Sequence, residues 1–144
     1  MDYHFKSDVE FDELLEDGDL LEWAEVHGKR YGTLASQVRS VLAKGNDLIL
    51  EIDPQGNDQI RNRISNTFSI FVAPPSFSEL KKRLENRATE SVELIEARMR
   101  TAEVEMLAQK HYNVTVVNDD LESAQQEIIE IIDGHRAQRF GRDA

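Results

Sequence analysis

A chain of 144 residues that is 40% hydrophobic holds enough apolar side chains for one compact domain and too few for two ordinary ones. Its formal net charge of -11 would repel a nucleic-acid backbone, and no apolar run approaches the roughly 20 residues of a bilayer span. The N-terminus lacks the basic start and apolar run of a signal peptide and cysteine is absent, so a soluble cytoplasmic protein without disulfides, thiolate metal sites, nucleic-acid partners or membrane partners is expected.

In chain order, residues 1–33 read as a small β-rich lobe. Tyr3-His4-Phe5 starts it as a strand, Ser7 with Glu10 in capping-box spacing opens a helix, and Asp17-Gly18-Asp19 turns the chain into a hairpin from Leu20 to His27 and back through Tyr31. A helix from Leu34 to Lys44, closed by Gly45, leads to the core. There, Leu48–Ile52, Ser69–Ala73 and Val114–Val117 are short and rich in branched or aromatic residues, the pattern of parallel strands covered on both faces. Pro54, Pro74 and Pro75 punctuate strand ends. Further helices start at about Ser76, whose S-x-x-E with Glu79 is a capping box, and run from about Glu90 to Gln109 and from about Leu121 to Arg136. In the last of these, Leu121, Ala124, Ile128 and Ile131 share a face. The alternation strand, helix, strand, helix, helix, strand, helix is that of a doubly wound α/β domain, which binds ligands at the carboxyl ends of its strands. Asp53, Pro74 and Asn118 stand at those ends.

Five segments then carry a resemblance: Asp2-Tyr3-His4-Phe5, Leu21-Glu22-Trp23-Ala24-Glu25-Val26-His27-Gly28, Tyr31-Gly32-Thr33, Ile52-Asp53-Pro54-Gln55-Gly56 and Val117-Asn118-Asp119-Asp120. In this order they resemble the guanylate kinases over nearly the whole chain, which looks like the C-terminal three quarters or so of a bacterial-type member. The resemblance implies a single P-loop-kinase-like α/β domain, a parallel sheet with helices on both faces, without its loop-bearing central strand. Residues 1–33 would be the GMP-binding lobe, 34–85 and 110–144 the core, and 86–98 the lid region. The activity implied is transfer of the ATP γ-phosphate to GMP, with magnesium.

The resemblance also assigns residues. Glu22, Asp53 and Thr33 match those that read the guanine edge, Tyr3 and Tyr31 match those on the GMP phosphate, and Gly32, Gln55 and Gly56 complete the acceptor site. Arg83, Arg87 and Arg98 match catalytic arginines brought onto the triphosphate by lid closure, and Arg87 and Asn118 match ATP contacts. The chemistry is apt: adjacent N1–H and N2–H donors of guanine call for carboxylates, O6 for a hydroxyl, and a monophosphate for phenols and arginines. Read without the family, Glu22 is an exposed strand residue, Asp53 a helix N-cap, the tyrosines core-edge packing, the arginines solvated partners of Glu79, Glu85 and Glu93, and Asn118 a turn residue. His4, His27, His111 and His135 have no metal-ligand spacing and no serine or cysteine partner, so no metal site is expected.

No G-x-x-x-x-G-K occurs in the chain, and Gly28-Lys29 is its only Gly-Lys pair. In the family, the loop-bearing strand and two phosphate-binding arginines precede the matched segments and would lie before Met1. The expectation is an acceptor half that binds GMP weakly and is inactive alone. The family's L-D-I-D reads Leu50-Glu51-Ile52-Asp53 here, and its G-R-G-T lid turn reads Asn86-Arg87-Ala88-Thr89, so a stiffer or differently shaped hinge is expected. The alternatives are a non-catalytic guanylate-kinase-like interaction module, or half of a two-chain enzyme. In either case the slot between Leu48–Ile52 and Ser69–Ala73 invites a strand-donating partner or self-association.

Overall fold

The structure, a computed structural model, describes residues 4–87 and 90–142. Expectations for Asp2, Tyr3, Ala88 and Thr89 fall outside these residues. The chain divides into two compact units, Met1–Thr67 and Phe68–Ala144.

In the first unit, Ser7 stops α1 (Asp8–Glu16) from fraying: its hydroxyl accepts from the Glu10 N–H at 3.2 Å, and its own N–H donates to Glu10 Oε2 at 2.7 Å. The helix buries Phe11. His4 and Phe5 enter no ladder, so the short strand expected at Tyr3-His4-Phe5 is not seen in its described part. β1 (Leu20–Val26) and β2 (Lys29–Leu34) form an antiparallel hairpin. Its two-residue loop needs positive φ at both positions, supplied by His27 (50°) and Gly28 (75°), the geometry whose twist matches that of the strands. Leu20, Glu22 and Ala24 are buried.

α2 (Ala35–Ala43) packs Ala35 and Val38 inward. α3 (Pro54–Arg63) opens with Asp53 as N-cap and Pro54 in its first turn, where a missing N–H costs nothing. It lies along β1, to which it contributes the buried Gly56, Asn57 and Ile60.

Leu48–Ile52, expected as a parallel core strand, enters no ladder among the described residues, and Ile49 is 70% exposed. Branched side chains favour a pleated, half-buried surface only when a neighbouring strand provides one. The three-stranded parallel core of the sequence reading is therefore a two-stranded one. In the second unit β3 (Ile70–Ala73) pairs in parallel with β4 (Val114–Val117), Ile70 opposite Val114 and Ala73 opposite Val117.

Ser69 and Asn113 start this ladder in register: Asn113 Oδ1 accepts from the Ser69 N–H at 2.9 Å, and the Asn113 N–H donates to Ser69 O at 3.0 Å. Between the strands run α4 (Phe77–Asn86), capped by Ser76, and α5 (Val92–Leu107), capped by Ser91, followed by a short 3-10 turn. Val116 is fully buried and Phe71 meets Tyr112 edge-on at 5.1 Å. The strands are not covered throughout, because Val72 and Val117 are 51% and 50% exposed.

α6 (Leu121–Arg142) runs past its expected end at Arg136. Ala124 is buried and Ile128 and Ile131 are half-buried, but Leu121 is 62% exposed and leaves the apolar face expected for it. A residue in the first turn lies at the rim of the contact with β4, where coverage runs out. The architecture is α/β, with one antiparallel and one parallel pair of strands among the described residues. No helix among the described residues is long and apolar enough to cross a membrane.

Candidate functional site

Glu22 stands on β1 with 4% of its surface exposed, the reverse of the solvated strand position that an isolated reading allows. Thr33, opposite it on β2, donates its hydroxyl proton to Glu22 Oε1 at 2.6 Å. Gly56 on α3 comes so close that a Cβ there would overlap the Glu22 carboxylate and lie 3.2 Å from the Ile52 Cβ. Burial pushes the Glu22 carboxyl above the ordinary range, the Thr33 hydrogen bond pulls it partly back, and the charge of Asp53 pushes it up again. A buried carboxylate that accepts from the Thr33 hydroxyl on one oxygen would gain from a ligand that brings further donors.

Asp53 is held beside it by the helix it caps. Its Oδ1 accepts from the Gly56 N–H at 2.9 Å and its Oδ2 from Gln55 Nε2 at 3.1 Å. Gly32 lies where a Cβ would stand 3.0 Å from the Glu22 carbonyl oxygen and 3.1 Å from the Leu20 side chain. Tyr31 is exposed on β2 opposite Ala24. The first unit thus brings Glu22, Gly32, Thr33, Asp53 and Gly56 together, with Tyr31 and Gln55 alongside, while Tyr3 lies outside the described residues.

In the second unit Arg83 spans α4 and the end of β4. Its Nη1 donates to Asn118 O at 2.7 Å, its Nη2 to Asp119 O at 3.1 Å, and its Nε to Glu79 Oε1 at 3.2 Å. Asn118 in turn donates its N–H to Ala73 O at 2.7 Å. Arg87 is exposed at the C-cap of α4. Arg98 pairs with Glu90 at 2.6 Å rather than with Glu93, and Glu85 pairs with Lys81. Among the described residues, Arg83–Glu79 is the pair of the sequence reading that forms. Glu90 Oε2 and Arg98 Nε are buried without a partner among the described residues.

Three α3 side chains escaped the sequence reading. Gln59 and Arg63 bond to the backbone of β1, and Asn57 is 3% exposed with its Nδ2 unpartnered among the described residues. The i,i+4 spacing of Gln59 and Arg63 on the helix after Asp53 was the available signal.

The guanylate kinase family model matches residues 1–135. The chain is 43% identical over 132 residues to a guanylate kinase of Thermobifida fusca, covering 92% of this chain and 67% of the relative. It is 45% identical over 141 residues to one of Methylobacillus flagellatus, covering 98% and 68%. Among solved structures, the crystal structure of guanylate kinase from Anaplasma phagocytophilum superimposes with a TM-score of 0.78 at 30% identity, over 92% of this chain and 64% of that one. The chain therefore spans about two thirds of the length of these relatives. With the model matched over nearly the whole chain and the identity above two fifths, the chain belongs to the guanylate kinase family.

Proposed function

We propose that these 144 residues bind GMP as the acceptor half of a guanylate kinase and do not transfer phosphate by themselves. The observation that carries the reading is the buried Glu22 carboxylate, bonded to Thr33 and flanked by Asp53. Guanine presents N1–H and N2–H side by side, and these would satisfy the Glu22 and Asp53 oxygens. The Thr33 hydroxyl would turn its proton from Glu22 to O6 as N1–H replaces it. Adenine carries no such donor pair and would leave Glu22 buried and unsatisfied. Tyr31, with Tyr3, would donate phenol protons to the monophosphate, and Gly32, Gln55 and Gly56 shape the floor.

On the donor side, Arg83, Arg87, Arg98 and Asn118 take their assignments from the family. In the intact family ATP supplies the phosphoryl group and magnesium neutralises its charge. Among the described residues no three His, Asp or Glu side chains converge on one point, and the chain has no G-x-x-x-x-G-K. The residues present do not fit a donor site, and no step is assigned to them.

The unladdered Leu48–Ile52 segment favours one further reading, in which a second chain supplies the missing strand and completes a two-chain enzyme. Titration of the labelled chain with GMP and AMP, followed by NMR, tests the acceptor site. Shifts at Glu22, Thr33 and Asp53 with GMP alone are expected, and equal responses to both nucleotides would overturn the reading.

A further inference from the structure

Gly56, Gln59 and Arg63 follow one another along α3 at steps of three and four residues, the spacing that puts side chains on one face of a helix. That face lies on β1. Gly56 stands against the Glu22 carboxylate, Gln59 on the backbone of Trp23, and Arg63 on the carbonyls of Leu20 and Leu21. The hairpin fixes its own pairing: from the His27-Gly28 turn back to Glu22 opposite Thr33 the register runs unbroken, and the bulge at Leu21 alters only the partner of Leu20. What the hairpin cannot fix is where α3 lies along it.

Gln59 sets that position. Its Nε2 donates to Trp23 O at 2.7 Å and its Oε1 accepts from the Trp23 N–H at 3.1 Å, so one side-chain amide takes the part of a neighbouring strand on the edge of β1 that β2 leaves open. Such paired groups recur along one edge of a strand only at every second residue, about 6.6 Å apart. A slide of α3 by an ångström or two would break both bonds and reach no replacement. The apolar contact of Ile60 is non-directional and sets no such stop. One turn further on, Arg63 Nη1 donates to Leu20 O at 3.0 Å and to Leu21 O at 2.7 Å, a second point of attachment that fixes the tilt of the helix as well.

The consequence falls on the carboxylate pair. Asp53 is fastened to the first turn of α3 through the Gly56 N–H at 2.9 Å, so it moves with the helix, whereas Glu22 belongs to the strand. We infer that Gln59, with Arg63 as its second point of attachment, is a specificity-determining positioning residue: it fixes α3 along β1 so that Asp53 and Gly56 of the helix meet Glu22 of the strand. Its effect on nucleotide choice rests on the guanine-edge reading proposed above, while the placement of the helix does not. Gln59 acts through α3.

The test uses the full chain with Gln59→Met, which keeps the length of the side chain and removes both bonds. Gln59→Asn, whose amide is one methylene short of the strand, is the milder variant should the first fail to fold. NOEs between Gly56 and the Glu22 side chain, with NMR titration of the Glu22 carboxyl, report the placement of α3 without any ligand, and GMP and AMP titrations report the preference. In Gln59→Met the NOEs should weaken, and the Glu22 carboxyl should titrate closer to the ordinary carboxylate range as its burial and the nearby Asp53 charge relax. The GMP-over-AMP preference should fall roughly tenfold to a hundredfold, the worth of one hydrogen bond to a charged group. Gln59→Asn should move all three in the same direction by less. A Gln59→Met chain that melts lower yet keeps the NOEs, the Glu22 titration and the wild-type preference has lost a merely structural tie, and overturns the inference. A wild-type chain without a preference for GMP overturns the guanine-edge reading instead, and the NOEs and the Glu22 titration still decide whether Gln59 places α3.

Discussion

Gly56 and Glu22 stand so close that no side chain larger than hydrogen fits between the first turn of α3 and the buried carboxylate of β1. A Cβ at position 56 would also meet the Ile52 side chain, so a change there cannot be absorbed by one flexible neighbour. Gly56→Ala should therefore expel Glu22 from its bond with Thr33 and abolish discrimination between GMP and AMP. The helix gains up to about 1 kcal/mol in propensity from the same change, which offsets part of the lost packing. Calorimetry with both nucleotides, alongside a melting curve, checks this: unchanged GMP affinity would show that the contact yields.

Glu22 links stability and binding to pH with opposite signs. Its carboxyl is raised in the folded state, so the folded chain holds the proton more tightly than the unfolded chain. Its contribution to stability therefore falls as pH rises through the interval between the ordinary carboxylate value and the raised one. Glu22→Gln keeps an oxygen for the Thr33 hydroxyl and removes the buried charge. It should melt higher than wild type at neutral pH, with the advantage vanishing below the ordinary carboxylate range. Guanine donors need the ionised form, so GMP binding to wild type should weaken as pH falls through the raised value, and Glu22→Gln should bind poorly throughout. Melting curves and titrations across pH 4–8 measure both effects. A destabilised Glu22→Gln at neutral pH would contradict the assigned cause.

Arg83 ties α4 to the loop after β4 through the carbonyls of Asn118 and Asp119. Charge-assisted bonds of this kind, in a side chain about one third exposed, support a loss of about 1–3 kcal/mol for Arg83→Ala. Chemical denaturation gives the value. A change below about 0.5 kcal/mol, the usual range of a surface substitution, would show the arginine to be a solvated partner of Glu79 only.

Turnover is the prediction most directly tied to the absent loop. A coupled ADP-release assay with GMP and magnesium ATP should read background for the 144-residue chain, since the backbone cradle and lysine that hold the donor phosphates do not occur in it. Turnover that disappears on Asp53→Ala would overturn this.

The open strand edges make a prediction about association. Among the described residues β3 pairs only with β4, Val72 is half exposed, and Leu48–Ile52 enters no ladder. Apolar edges of this kind template pairing with other chains. Sedimentation velocity should show self-association, and a peptide carrying a family loop-bearing strand should raise the melting temperature and reduce it. A stable monomer indifferent to the peptide would show that these edges are satisfied in solution.

What was legible in the residues themselves was whatever a few neighbours decide. Ser7 and Ser76 announce their helices because a cap needs only its own side chain and an N–H three residues on. His27-Gly28 closes the hairpin through its own backbone angles, and the resemblance to the guanylate kinases proposed Glu22, Thr33 and Asp53 as a set. Tertiary structure decided the rest, because each remaining feature depends on what lies across a gap in the chain. Leu48–Ile52 has the composition of a strand and no ladder, since a strand exists only with a partner. Glu22 could be read as solvated until α3 covered it, since alternation marks two faces without saying which is buried. The bulge at Leu21 has no local signature at all. Arg63, some forty residues away, donates to both carbonyls at the bulge, Leu20 O and Leu21 O.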